Sequence, residues 1–285
     1  IWNELTGLFL LFELGERLDR ILIGDQDFGN IKKELDRLPE LGTTTVEKVR
    51  NKPVGTPSLI RSDSTIVRFN DLIISNEFSE FLSKKLYETR GTDQNPTPRP
   101  GICFKIRLHH RNCINQRELI MDAIRLLDHQ ARPDAYEIYL DGFTRYDDLR
   151  PEAEQTIEAE RRFVDTLLKD LGERKGRPVP KSMVGMTLRQ KMAHINTIEQ
   201  YIAPIGSGGE LYGWVCGIPG IYYGPKRMLE LAQNHQKGVA ETPPLAHFIS
   251  PSTEEGAHGN ESSTLSTGAL LDLLKKAPIF GNIRY

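Results

Sequence analysis

Between Ile102 and Tyr223 the sequence changes period repeatedly, and that constrains the fold more than any other feature. Short runs of β-branched and aromatic residues alternate with longer stretches whose apolar residues recur at helical spacing. "ICFKIRL" (102–108) reads as a strand, and "QRELIMDAIRLLDHQ" (116–130) as a helix with Leu119, Ile120, Ala123, Ile124 and Leu127 on one face. "AYEIYLDG" (135–142) is strand-like. Residues 151–171 form a helical pattern opened by Pro151, with a stripe of Phe163, Val164, Leu167, Leu168 and Leu171. A shorter helix "TLRQKMAHINTIE" (187–199), a strand "QYIAPIG" (200–206), a short helix "GGELYGWVCG" (208–217) and a strand "GIYYG" (220–224) follow. Strict alternation of this kind is satisfied by right-handed βαβ units around a parallel sheet, so the predicted class is α/β.

The first half has the same texture, less cleanly. Residues 2–18 place Trp2, Leu5, Leu8, Phe9, Phe12 and Leu14 near helical spacing, and "RILIG" (20–24) reads as a short buried strand. "NIKKELDRL" (30–38) and "NEFSEFLSKKLYETR" (76–90) suit helices, and "STIVRFNDLIIS" (64–75) contains strand material. "GTDQNPTPRPG" (91–101) then brings three Pro, two Gly and no apolar side chain. Such a stretch marks a domain boundary. The expected organisation is a first domain over 1–92, a linker over 93–101, a second domain over 102–240 and a loop-rich tail over 241–285. The tail reads as a long loop or mobile segment closed by a helix, "ALLDLLKKA" (269–277), that docks back on the body. A length of 285 residues suits two domains. The chain opens on Ile1 in what reads as the middle of a helix, so part of the first domain is expected to lie upstream.

A formal net charge of −2 provides no global field for nucleic acid or an anionic membrane. Three cysteines, Cys103, Cys113 and Cys216, have no metal-type spacing and suit a reducing compartment. The longest apolar run, "LTGLFLLFELG", is too short to span a bilayer. The expectation is a cytoplasmic chain with no transmembrane segment.

In parallel α/β sheets ligands bind beyond the carboxyl ends of the strands, where helix N-termini converge. Two loops there share a design. In "KIRLHHRNCINQRE" Asn115 precedes Glu118 by three residues, and in "APIGSGGE" Ser207 precedes Glu210 by three. Both fit a capping box, with Asn in place of the usual Ser or Thr in the first. A helix N-terminus offers unpaired N–H groups and partial positive charge. Gly206, Gly208 and Gly209 remove the Cβ atoms that would keep an anion from the backbone. The loop "GSGGEL" nevertheless matches neither the dinucleotide fingerprint nor the P-loop, and a plain strand-to-helix turn explains it as well. Arg107, His109, His110 and Arg111 gather at the end of the other strand, followed by Asn112, Asn115 and Gln116. Arginine clamps phosphate bidentately, and Arg107 in a buried strand would need an anion or carboxylate partner. Adjacent histidines without a third ligand argue against a metal. Asp141 stands where a nucleotide-binding domain often holds a ribose-contacting acid, though an N-cap or turn Asp is an equal reading. In "IGDQDFGN", Asp25 and Asp27 could hold a metal under a diphosphate, or be turn residues.

"KIRLHHRNCINQRELIMDAIRLL…YEIYLDGFT", followed by "HINTIEQYIAPIGSGGELYGWVCGIPGIYYGP", resembles the carboxyl-terminal half of bacterial polysaccharide-biosynthesis glycosyltransferases of the two-domain GT-B architecture. The opening "IWNELTGLFLL" resembles their amino-terminal half, and the likeness extends over about 1–225. It implies two Rossmann-like domains whose parallel sheets face a central cleft, and a nucleotide-sugar donor transferred to a saccharide or related acceptor of the capsule or O-antigen kind. Arg107, Arg111 and Asn112 would meet the donor's diphosphate side, with backbone N–H groups from Gly206, Ser207, Gly208 and Gly209. Asp141 and Thr144 would line the nucleotide pocket. No metal and no cofactor beyond the nucleotide-sugar co-substrate are implied. An inverting enzyme needs a general base at the acceptor hydroxyl; His109 and His110 are the candidates, with Asp25 the alternative. A non-catalytic α/β protein that binds a phosphorylated or nucleotide ligand in the same crevice is the competing expectation.

Overall fold

The structure is a computed structural model, and it describes residues 20–24, 45–49, 99–109, 112–132, 135–145, 151–174, 176–195, 197–205, 212–213, 216–230, 246–255 and 262–276. The chain divides into two compact units. One contains strands β1 (Arg20–Gly24) and β2 (Thr45–Val49), and the other contains every later described element. In the first unit β1 and β2 pair in parallel, from Arg20 opposite Thr45 to Gly24 opposite Val49. A parallel pair needs a crossover connection of about a dozen residues or more. The sequence pattern anticipates β1 but not β2, because "TVEKV" sets two charges between its β-branched residues. The other elements expected before residue 93, and most of the linker, lie outside the described residues.

The second unit is built on one six-stranded sheet. Its strands are β3 (Gly101–Lys105), β4 (Glu137–Asp141), β5 (Lys181–Ser182), β6 (Ile198–Pro204), β7 (Gly220–Tyr223) and β8 (Ala246–Ile249). Their spatial order is β5-β4-β3-β6-β7-β8, and every pairing is parallel. Counted within the unit, this is the order 3-2-1-4-5-6 of a doubly wound sheet. The chain starts in the middle at β3 and steps outward through β4 and β5. It then crosses back to lay β6 against the other side of β3 and steps outward again to β8. The topological switch point therefore lies between β3 and β6.

Burial on both faces explains the apolar strand sequences. Ile102, Cys103 and Phe104 of β3, Ile138, Tyr139 and Leu140 of β4, and Tyr201, Ile202 and Ala203 of β6 are all buried. Helix α1 (Gln116–Gln130) turns Leu119, Ile120, Ala123, Ile124 and Leu127 inward, as its spacing predicts. Helix α2 (Pro151–Leu171) buries Ile157, Glu160, Val164 and Leu167, so an acid sits on its inward stripe. Helix α3 (Leu188–Ile195) ends earlier than its apolar spacing suggests. Thr197 turns back on His194 O through both its N–H, at 3.0 Å, and its Oγ1, at 2.9 Å, which frees Ile198 to begin β6. Tyr201, Tyr222 and Phe248 form an aromatic row across β6, β7 and β8, with ring centroids 5.3 and 5.7 Å apart. Tyr201 lies opposite Gly220, where any Cβ would run into its ring.

The carboxyl-terminal segment differs from the loop-rich tail expected over 241–285. Its residues 246–249 supply β8, the sixth strand of the sheet. Strands β9 (Thr253–Glu255) and β10 (Ser262–Thr264) form a separate antiparallel pair. Helix α4 (Thr267–Lys276) buries Leu270 and Leu274 and packs on α1, in line with the expected terminal helix that docks back. The Ser, Thr and Pro content between these short elements hides them from a periodicity reading. Among the described residues no helix is long and apolar enough to cross a membrane.

Candidate functional site

The carboxyl ends of β3 and β6 meet at the switch point, and a small hydrogen-bond network ties them together. β3 ends at Lys105, and the backbone continues alongside β4 for one more bond, Ile106 N–H to Asp141 O at 2.6 Å. Arg107 therefore lies beyond the strand rather than inside it. Its Nη1 donates to the carbonyl of Ile205 at 2.9 Å, and its backbone N–H donates to Gln116 Oε1 at 3.2 Å. Gln116, buried at the first position of α1, passes the connection on from Nε2 to Tyr223 Oη at 2.6 Å. Ile205 N–H donates to Tyr223 O at 2.7 Å. One side chain thus joins the exits of β3 and β6, and another joins those of β3 and β7. The bond to Ile205 O fixes a guanidinium at the switch point.

Asp141, the last residue of β4, is fully buried. Lys105 Nζ, from the register partner on β3, lies 2.5 Å from its Oδ2, and Tyr212 Oη donates to the same oxygen at 2.7 Å. Lys191 Nζ, from α3, lies 2.5 Å from Oδ1, an ion pair rather than a well-angled hydrogen bond. Both ammonium groups also donate to the carbonyl of Gly142, at 3.2 Å from Lys105 and 2.7 Å from Lys191. From the opposite side Glu160 Oε2 accepts the N–H of Phe143 at 2.5 Å, and a Cβ at Gly142 would run into that oxygen. The turn after β4 is therefore held by the buried Lys191, the partly exposed Lys105 and the buried Glu160. Asp141 differs from the expected ribose contact, because its carboxylate faces this cluster and has no exposed surface.

Electrostatics within the cluster follow from burial. Burial alone would raise the Asp141 carboxyl, but Lys105 and Lys191 hold it below the ordinary value. Burial lowers the Lys191 ammonium to about 8, against the pull of Asp141. Glu160 is raised, chiefly by burial, with the Phe143 N–H opposing. The Cys103 thiol beside them is pushed up to about 12 by burial and by the Asp141 charge, so it stays protonated.

Other predicted residues are distributed differently. His109 is exposed on the bend after Leu108. Thr144 is buried at 3 % exposure, and its hydroxyl has no hydrogen-bond partner among the described residues. Asn112 accepts a bond from Ser262 Oγ at 2.5 Å through Oδ1. Asn115 stands at the N-cap of α1 but makes no side-chain cap bond there, contrary to the capping-box expectation. Its amide is engaged by the carboxyl-terminal segment instead, donating to Leu265 O at 2.9 Å and accepting from Leu265 N–H at 3.0 Å. His110, Arg111, Gly206, Ser207, Gly208, Gly209, Asp25 and Asp27 lie outside the described residues. Among the described residues no three His, Cys, Asp or Glu side chains gather as metal ligands do.

No sequence motif singles out Lys105, Lys191, Glu160 or Tyr212 for the site. The available signal was placement of charge on apolar faces. Glu160 follows Ile157 by three residues and precedes Val164 by four, and Lys105 closes the apolar run of β3.

No protein-family model matches the sequence, and no curated protein matches it. Among solved structures, sucrose-phosphate synthase from Thermosynechococcus elongatus aligns with a TM-score of 0.40 and 10% identity, covering 98% of this chain and 54% of that chain. The chain thus spans about half the length of that neighbour. A likeness this distant carries no inference about the present chain.

Proposed function

We propose that the chain is a glycosyltransferase that moves a sugar from a nucleotide-diphosphate donor to a saccharide or related acceptor. The observation that supports it is Arg107 at the switch point of a doubly wound sheet. Ligands of such sheets bind in the crevice beyond the carboxyl ends of the strands. As the glycosidic bond to the donor breaks, negative charge grows on the leaving diphosphate, and fixed cationic or N–H donors stabilise that change. In this reading Arg107, Arg111 and Asn112, with the backbone N–H groups of Gly206, Ser207, Gly208 and Gly209, face the diphosphate. Thr144 faces the nucleotide, and Asp141 acts from beneath by holding the turn that leads to Thr144. His109 or His110 takes the acceptor proton, with Asp25 as the alternative. The reading extends to two Rossmann-like domains around a cleft, to chemistry driven by fixed donors rather than a metal, and to polysaccharide biosynthesis in the cytoplasm.

A thermal-shift panel of UDP, GDP, CDP, CMP, ADP and dTDP tests the donor site, because a ligand of the folded state must raise Tm by mass action. One nucleotide should stand clear of the rest, and its sugar conjugate should be slowly hydrolysed when no acceptor is present. A nucleotide that binds while its conjugate stays intact would favour the non-catalytic binding protein. No shift with any of them on the full chain would overturn the donor site.

A further inference from the structure

We propose that Asn115 and residues 262–265 form a latch that sets the position of the loop carrying His109 between β3 and α1. At its near end that loop is tied to the sheet by the Arg107 and Gln116 bonds. At its far end every described tie to another part of the chain runs to the carboxyl-terminal segment, more than 140 residues later in sequence. Ser263 N–H donates to Asn112 O at 3.0 Å and Ile114 N–H donates to Ser263 O at 2.8 Å, so Cys113 and Ser263 make a parallel bridge. Ser262 Oγ donates to Asn112 Oδ1 at 2.5 Å. Asn115 completes the set by reading the backbone of Leu265 in both directions. A carboxamide carries a donor and an acceptor on separate atoms, which matches the N–H and C=O of one residue; Asp at this position would lack the donor, and Ser or Thr would have only one oxygen to serve both. This accounts for Asn at a position whose helix it does not cap.

The latch is anchored from behind. Leu265 is 3 % exposed, and Leu270 and Leu274 of α4 are buried where α4 packs on α1. The segment therefore cannot shift along the loop without uncovering apolar surface. Two elements far apart in sequence share one equilibrium, and a change that opens either should loosen both. The bearing of the latch on catalysis rests on the reading of the site given above, whereas its existence does not.

Amide hydrogen exchange on the full unliganded chain tests it. In Asn115→Ala, peptides covering 107–116 and 262–268 should both exchange about tenfold faster, as expected for two lost hydrogen bonds, while α2 keeps its protection. Ser262→Ala, made from the other side and removing one bond, should speed the same two segments about threefold, and it decides the matter if Asn115→Ala does not fold. Release of 262–268 with 107–116 unchanged would overturn the latch, as would uniform acceleration that includes α2. Added UDP separates the two claims. If it binds, protection of 107–116 and 262–268 should rise together, and protection of the first alone would count against coupling. If it does not bind wild-type protein, the donor reading suffers, and the exchange of the unliganded variants still decides the latch.

Discussion

Asp141 anchors the cluster because it faces two ammonium groups at 2.5 Å. Asp141→Asn would leave the buried Lys191 and the partly exposed Lys105 without their counter-ion; breaking a buried pair typically costs about 3–5 kcal/mol. Urea denaturation should show that loss whether or not a nucleotide is present. A loss of nucleotide affinity at unchanged stability would instead restore Asp141 to the pocket. Lys191 makes a second prediction, with a sign opposite to intuition. Its amine titrates near 8 in the folded protein, below its ordinary 10.5, because burial outweighs the pull of Asp141. Between those two values the unfolded chain holds a proton that the folded chain has released, so this group's contribution to stability rises with pH across that window. Below about pH 8 both states hold the proton and the contribution is flat. The stability of wild type relative to Lys191→Met should thus increase from pH 8 to 10, and a decrease would mean that the ion pair dominates. Arg107→Ala tests the anion site directly: nucleoside-diphosphate affinity should fall by about 1.5–3 kcal/mol, the size of a lost charge-assisted bond, in a protein that remains folded. At this scale the sequence was legible in placing Arg107 near the carboxyl end of β3, and not in its bond to Ile205 O. Whether Asp141 points at a ligand or at two lysines depends on α3, whose relation to β4 no local pattern records.

Elements were more legible than residues. The strands β3, β4, β6 and β7 and the helices α1 and α2 follow from runs and stripes, because a parallel sheet covered on both faces demands continuous apolar strands. β5 escaped because it has two exposed residues, and β8 because it is four residues long within Pro- and Ser-rich surroundings. Registry between elements also rests on small residues that composition does not reveal. Gly220→Ala would press a methyl group into the Tyr201 ring, which is held between Tyr212 and Tyr222. Overpacking of this kind costs about 1–3 kcal/mol. The variant should unfold at correspondingly lower denaturant, and Tyr201→Leu in the same chain should recover part of the loss. Independent, additive effects would mean that the aromatic row moves aside without strain.

For the molecule as a whole, the decisive matter is where the second folding unit ends. A boundary at residue 240 would leave a five-stranded sheet with β7 at its edge, and the face of α1 that α4 covers would be bare. Tyr222 would lose its stacking partner Phe248, and the loop after β3 would lose its ties to residues 262–265. Each loss exposes apolar surface or backbone polar groups that the complete unit satisfies. A fragment spanning 74–285 should therefore unfold in one cooperative urea transition, with the helical circular dichroism expected of α1 to α4. The fragment 74–240 should show a shallow transition or bind a hydrophobic dye, as loosely packed states do. Equal cooperativity in both fragments would mean that the carboxyl-terminal segment is an appendage after all. In that case the doubly wound core would end at β7, and the described ties of the loop bearing His109 would be those of Arg107 and Gln116.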